Sequence, residues 1–384
     1  MISHIRKKLR PVKRALRYIF TKVLAGCSKI DNHKIVLINF NGKGYGGNPK
    51  YIAEELAKDD QYKLVWLVDK SEYKLPNYIK KVKIKTISSL YELETAKVII
   101  TNVKSELVIY KRKKQYLIQT WHGSYSPKFL ENDAIDKLKK DYIIESKYNS
   151  KVTDLFISNS KLQSEEYKKA FWCKSKILEK GYPRNDIFFN SNSNYKEQLR
   201  KNLGIESNKK ILLYAPTFRD NNEVDCYKFD YKKILKILGN NTILLVRMHP
   251  NVDDYEGIFD FSDNNIIDAT KYSDIQELLF ISDYLITDYS TTMFDFAIMN
   301  KPVFLYSPDI KEYEKMRGLK PIYYKLPFQL AKTSQQLVYI IKQFDKKIYI
   351  NKLNEFNNKH PNFDDGNAAI NVSKEIKKMI SDNF

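Results

Sequence analysis

The sequence predicts an α/β protein of two domains, each built on a parallel sheet covered by helices. Three observations carry this. Apolar runs of strand length alternate with helical segments along the chain, as expected for strands buried on both faces. The 384 residues suffice for two domains of ordinary size. The turn-rich segment 181–186 divides the alternation into two halves and reads as an interdomain hinge.

In the first half, strands are expected at 35–40, 63–68, 82–87, 98–101, in a run ending at 119–123, and at 155–158. Between them, Pro49 opens a helix over 50–58 with Asn48 as its N-cap. Ser88 and Ser89 cap a helix over 90–96, residues 133–146 are helical, and Ser160 caps a helix over 161–172. The second half repeats the pattern. Strands are expected at 211–215, 242–248, 284–287 and 301–306, with helices at 194–203, 229–238, 274–282 and 293–299, and over most of 332–384. Gly204 and Gly239 stop two of these helices. The glycine-rich loop 41–48 does not match Gly-x-Gly-x-x-Gly and carries no dinucleotide signature.

The net charge of +20 calls for an anionic partner, whether nucleic acid, membrane surface or polyanionic substrate. No helix-turn-helix, zinc-finger or RNP-type pattern supports nucleic acid. Residues 1–30 contain no acidic residue and place apolar side chains at helical spacing among arginines and lysines, which suits the face of an anionic bilayer. No segment has the length and apolarity of a membrane span, and no signal peptide is expected. The three cysteines are isolated, which fits a reducing compartment, and no side-chain cluster has metal-ligand spacing.

Two of the five histidines have the same setting. His122 follows the strand run 116–118, and His249 ends the run 242–248. In open α/β sheets that edge is where ligands bind, so the two are expected to face each other across a cleft between the domains. A lone histidine at a strand end is more often structural; a matched pair points to chemistry. Trp121 can wall a pocket and Gly123 lets backbone approach a ligand. Asp288, Ser290, Thr291 and Thr292 sit where a strand turns into a helix, and the free N–H groups there suit phosphate. Arg219 and Arg247 end neighbouring strands. A histidine that can accept a proton in one domain and an anion cradle in the other suit phosphoryl transfer.

Five segments occur in order: 119–123 (Gln-Thr-Trp-His-Gly), 181–186 (Gly-Tyr-Pro-Arg-Asn-Asp), 214–220 (Tyr-Ala-Pro-Thr-Phe-Arg-Asp), 247–249 (Arg-Met-His) and 286–292 (Ile-Thr-Asp-Tyr-Ser-Thr-Thr). Together they resemble the CDP-glycerol glycerophosphotransferase family, the primases and polymerases of teichoic-acid synthesis. The resemblance runs from about residue 39 to about residue 327. It implies a GT-B-like pair of Rossmann domains: an N-terminal acceptor domain over 31–182 and a C-terminal CDP-binding domain over 183–384, preceded by a membrane-association segment over 1–30. It implies His122 and His249 as the essential residues, with Gly123, Thr217, Arg219, Arg247, Asp288, Ser290, Thr291 and Thr292 as substrate contacts. The implied reaction moves glycerol phosphate or ribitol phosphate from its CDP donor to a hydroxyl of a lipid-linked polymer and releases CMP, at the cytoplasmic face of the membrane. No tightly held metal or other cofactor is implied. The loop after His122 reads Gly-Ser-Tyr-Ser-Pro-Lys over 123–128, where polymerases usually have Thr-Pro-Leu-Lys after the glycine, which leaves the acceptor open. A sugar-nucleotide glycosyltransferase of the same architecture, or a non-catalytic polyanion- or membrane-binding protein, are the other readings the sequence admits.

Overall fold

Runs of apolar side chains that must be hidden on both faces assemble two separate parallel sheets. They are seen in a computed structural model that describes residues 10–105, 107–108, 110–220, 224–249, 252, 255 and 257–382. The first sheet contains β1 (Asp31–Ile38), β2 (Lys63–Val68), β3 (Ile79–Lys83), β4 (Ala96–Thr101), β5 (Tyr116–Gln119), β6 (Leu155–Ser158) and β7 (Lys176–Glu179). Their spatial order is β3-β2-β1-β4-β5-β6-β7. The second contains β8 (Lys210–Tyr214), β9 (Thr242–Val246), β10 (Ile266–Asp268), β11 (Tyr284–Thr287), β12 (Val303–Tyr306) and β13 (Gln329–Ala331), ordered β10-β9-β8-β11-β12-β13. All pairings are parallel; Val36, for example, lies between Val65 and Ile99.

The strand order reverses between β1 and β4 in one sheet and between β8 and β11 in the other. Loops leaving the C-terminal ends of strands at such a reversal form the natural ligand crevice. His122 follows β5 and His249 follows β9, so each lies one strand away from its sheet's reversal.

Where the structure departs from expectation, local context decides. The helix expected over 133–146 is two elements, a 3-10 turn over Glu131–Lys137 and a helix over Lys140–Val152. The short strands β7, β10 and β13 carry too little pattern to be expected. Asn48 is not a cap: Gly46 holds that position, and the Asn48 amide instead donates to the carbonyls of Thr120 and Trp121, each at 3.1 Å.

The last helix, Ala368–Ser381, corrects the expected assignment of everything after 183 to the second domain. Val372, Ile376 and Ile380, spaced four apart on one stripe, pack into the first sheet's core beside Leu37, Ile52 and Leu56. Asp186 accepts from Ala368 N at 3.0 Å and Ala369 N at 2.7 Å, so a residue from the first crossing caps the helix made after the second.

The expected hinge at 181–186 is not a loose connection. Tyr182, Pro183, Arg184 and Asn185 are buried, and the last three form a 3-10 turn. Arg184 places one guanidinium nitrogen 2.7 Å from Asp295 and bonds the carbonyl of His122 with another. Asp295, on the helix Thr292–Ala297 of the second domain, also accepts from Ser124 at 2.9 Å. A second cross-link joins Lys50 to Asp274 at 3.0 Å and Glu277 at 2.5 Å. Among the described residues, no helix is long and apolar enough to cross a membrane.

Replacing one member of a buried charged pair strands the other, at a cost of about 3–5 kcal/mol. Asp295→Ala is therefore expected to shift the urea midpoint strongly downward, while Glu375→Ala, which breaks a bridge to the exposed Lys176, is expected to leave it nearly unchanged. Equal midpoints for the two variants would show that Asp295 does not hold the domains together.

Candidate active site

The loop after β5 is held from several directions. Trp121 takes a positive φ of 54°, and its N–H donates to the Gln119 side chain at 2.9 Å. Asn48 fixes the carbonyls on either side of the Thr120–Trp121 bond, and its oxygen accepts from Arg184 N at 3.1 Å. His122 then leans against Trp121, with ring centroids 4.1 Å apart, and Phe40, at 5.2 Å. Its Nδ1 is 2.9 Å from the carbonyl of Asn102. A carbonyl can only accept, so Nδ1 carries the proton and Nε2 keeps the lone pair. The Asn102 side chain is itself anchored, donating to Asn39 at 2.7 Å and accepting from Phe40 N at 2.8 Å. Asn39 and Asn102 are positioning residues at the ends of β1 and β4. Sequence reasoning passed over them; two asparagines just beyond neighbouring strand ends were the available signal.

His122 has its pKa lowered to about 4, first by burial, with the Asn102 carbonyl opposing and the charges of Arg184, Lys128 and His249 adding to the depression. His249 is also lowered to about 4, by burial and then by Lys128, Arg247 and Lys43. Each histidine feels the other or the same lysine, so both domains face one cationic space. His249 packs on Phe218 at 4.7 Å between ring centroids. Arg247 bonds the Tyr272 carbonyl, and burial lowers its pKa to about 10.

In the sequence, Lys128 is only the end of a motif. In the fold, burial brings its pKa down to about 8, with Asp288 opposing and Arg317 and Arg219 adding to the fall. Its backbone is pinned to the second domain: Lys128 bridges Leu319, and Lys320 N donates to Pro127 O at 2.8 Å. Gly123 meets the second domain too, since a Cβ there would lie 2.5 Å from Thr291 Oγ1. That close approach leaves no room for a side chain at this position.

Three expected substrate contacts are committed elsewhere. The Arg219 guanidinium is buried and bonds Asp309 at 2.5 and 3.1 Å, Asp288 at 3.0 Å, and the carbonyl and hydroxyl of Thr217 at 2.6 and 2.9 Å. Four hydrogen bonds and the ion pair to Asp288 hold this guanidinium among protein partners. Asp288 is occupied in turn by the backbone N–H and hydroxyl of Thr217, both at 3.0 Å. Thr217, Arg219 and Asp288, expected at the donor, form with one another a buried ion cluster that braces the strand ends. Asp309, the partner that completes it, was not foreseen. Ser290, Thr291 and Thr292 are half-buried around the first turn of the helix Thr292–Ala297, with Thr292 donating to the Ser290 hydroxyl at 2.9 Å. Among the described residues no group of three His, Cys, Asp or Glu could hold a metal.

The sequence profile of the CDP-glycerol:poly(glycerophosphate) glycerophosphotransferases matches residues 20–378. The chain belongs to this family. It is 32% identical, over 99% of its length, to the teichoic acid poly(glycerol phosphate) polymerase of Staphylococcus epidermidis, and spans 56% of that protein. It is 29% identical to the teichoic acid glycerol-phosphate transferase of Staphylococcus aureus, covering 96% of this chain and 99% of that one. Among solved structures, a histidine-to-asparagine variant of the wall teichoic acid polymerase TagF soaked with CDPG superimposes with a TM-score of 0.86 at 30% identity, covering 100% of this chain and 99% of that one. The family's architecture thus extends over both sheets of this glycerophosphotransferase-family chain.

Two folded-state values near 4 set a pH expectation. Histidine is near 6.5 when unfolded, so the folded state binds fewer protons between those values. The stability contributed by two neutral histidines is full above about pH 6.5 and is lost as pH falls toward 4. NMR titration is expected to find both imidazoles neutral at pH 6; an ordinary midpoint near 6.5 for His122 would contradict its desolvation.

Proposed function

We propose that the chain transfers glycerol phosphate from CDP-glycerol to a hydroxyl of a teichoic-acid-type acceptor, with CMP as the other product. The two domains act as a GT-B-type pair with the reaction in the cleft between them. The observation that supports this best is His122: half-buried, its pKa held low, and fixed through Nδ1–H on Asn102 so that Nε2 is the basic atom. Nε2 takes the proton of the acceptor hydroxyl as its oxygen attacks the glycerol-bearing phosphorus. The bridging P–O bond then breaks and the electron pair leaves with CMP. His249, Arg247 and Lys128 supply positive charge or hydrogen bonds to the phosphates, and the hydroxyls of Ser290, Thr291 and Thr292 border the same space. Family membership and the likeness to polymerases and a transferase of glycerol phosphate support the donor.

The membrane part of the reading rests on the helix Arg10–Cys27. It packs against the helix Ile87–Thr95 and leaves Ile19, Phe20 and Val23 exposed, with Val23 at 59%. The first nine residues of the expected 1–30 segment lie outside the described residues. Apolar side chains on a basic helix suit the cytoplasmic face of an anionic bilayer, where a lipid-linked acceptor would be met. Ile19→Ser/Val23→Ser is expected to weaken binding to phosphatidylglycerol vesicles about tenfold or more without changing the circular dichroism spectrum; undiminished binding would remove the helix from that role.

Turnover and CDP affinity measured together test the chemistry. His122→Ala is expected to lose about 10²–10⁴-fold in turnover with CDP affinity nearly kept. His249→Ala is expected to lose turnover and CDP affinity together. Near-normal turnover in a folded His122→Ala variant would end its assignment as the base.

A further inference from the structure

A cavity of about 310 Å³ lies between the two domains, separate from the residues that carry the histidine chemistry. Its size is at the lower end of small-ligand pockets. The loop that carries His122 continues into it, because Ser124 and Tyr125 form part of its wall. The chain crosses back to the first domain beside it. There Ser160 bridges Asn362, and Phe363 N donates to Asn159 O at 2.7 Å. The helix Lys346–Lys359 supplies a further side through Asn354, Phe356 and Asn357.

The lining chemistry is specific. In a chain of net charge +20, no lysine or arginine among the described residues lines this cavity. Five asparagines do, together with four aromatic residues that include Tyr125, Phe294 and Phe356. Carboxamides donate and accept at once, which matches hydroxyl groups, while ring faces cover C–H surfaces. A phosphate or nucleotide would meet no lysine or arginine in the wall, where His360 faces the same space as the Asp364 carboxyl group. One built-in polar atom waits for a partner. Asn159 is fully buried; its Nδ2 donates to Ser124 at 2.9 Å and to Asp364 at 2.9 Å, while its Oδ1 has no hydrogen-bond partner among the described residues. A buried carbonyl oxygen left unpaired costs stability, and a hydroxyl donor entering the cavity relieves that cost.

We propose that this cavity is a binding subsite for an uncharged, hydroxyl-rich unit of sugar size, carried by the acceptor. The part played by the acceptor rests on the transfer reaction proposed above; the binding of a neutral sugar does not. The subsite recognises the acceptor by a neutral unit, leaving the cationic histidine cleft to the donor's phosphates. Ser124 is the physical link. Its hydroxyl accepts from Asn159 in the cavity wall and donates to Asp295, which holds Arg184 and through it the carbonyl of His122. Occupation of the cavity thereby bears on the residue two positions before it in the same loop.

The test uses the full chain and saturation-transfer NMR with four probes: N-acetylglucosamine, methyl glucoside, glycerol and glycerol 3-phosphate. At least one neutral sugar is expected to bind, and glycerol 3-phosphate is expected not to compete with it. Asn354→Ala/Asn357→Ala removes two amides from an exposed helix face where alanine favours the fold. It is expected to weaken sugar binding about tenfold. CDP is expected not to displace the sugar, and His122→Ala is expected to bind it normally, so failure of the transfer chemistry would leave this result standing. No neutral probe bound, displacement by CDP or glycerol 3-phosphate, or full binding in the double variant would each overturn the subsite. In transfer assays the same variant should raise KM for the lipid-linked acceptor with kcat held; an unchanged KM would overturn the assignment to the acceptor.

Discussion

The structure depends on a buried carboxylate shared between domains. Asp295 belongs to the second domain, yet it holds Arg184 from the crossing segment and Ser124 from the His122 loop. Gln276 and Asn185 reach it as well, at 3.3 and 3.4 Å. A guanidinium and a carboxylate removed from water must face each other closely to offset their lost hydration. That requirement fixes how the two sheets approach. The approach in turn brings Gly123 against Thr291, pins Lys128 beside Leu319 and fixes the space between the two histidines. The cleft is a consequence of the joint.

Charge is sorted with some economy around this joint. Arg219, which looks from sequence like a phosphate ligand, neutralises Asp288 and Asp309 beneath the cleft. Lys50 does the same for Asp274 and Glu277 at the cleft's other side. Lys128, Arg247, Lys43 and Arg317, the last of them paired with Asp220, together depress the pKa of His249. A dianionic ligand entering there would replace mutual repulsion with attraction, which is how an empty site can be made electrostatically ready.

Much of this was legible in the sequence, for identifiable reasons. Strands such as 35–38 and 243–246 are apolar throughout because both faces are covered, and that pattern survives without any structure. His122 and His249 stood out because strand ends are where α/β sheets bind ligands. What escaped was partnership. Arg219 and Asp288 carry the same residue types whether they meet a ligand or each other. Asn48 has a cap-like position but spends its amide on residues 72 and 73 places away. The segment 181–186 has a turn composition, and only its burial shows it to be a rigid joint. Short-range pattern records local geometry; contacts between distant segments leave no trace in spacing.

The return of the last helix to the first domain has a consequence for how the molecule is made. The core beneath β1 and β2 is unfinished until Val372, Ile376 and Ile380 arrive, more than three hundred residues after Leu37. During synthesis the first sheet must therefore remain partly uncovered while the second domain emerges, and the last helix then closes the first core. Contacts of such sequence separation form late and slowly. The first domain's completion thus reports that the second has already been built.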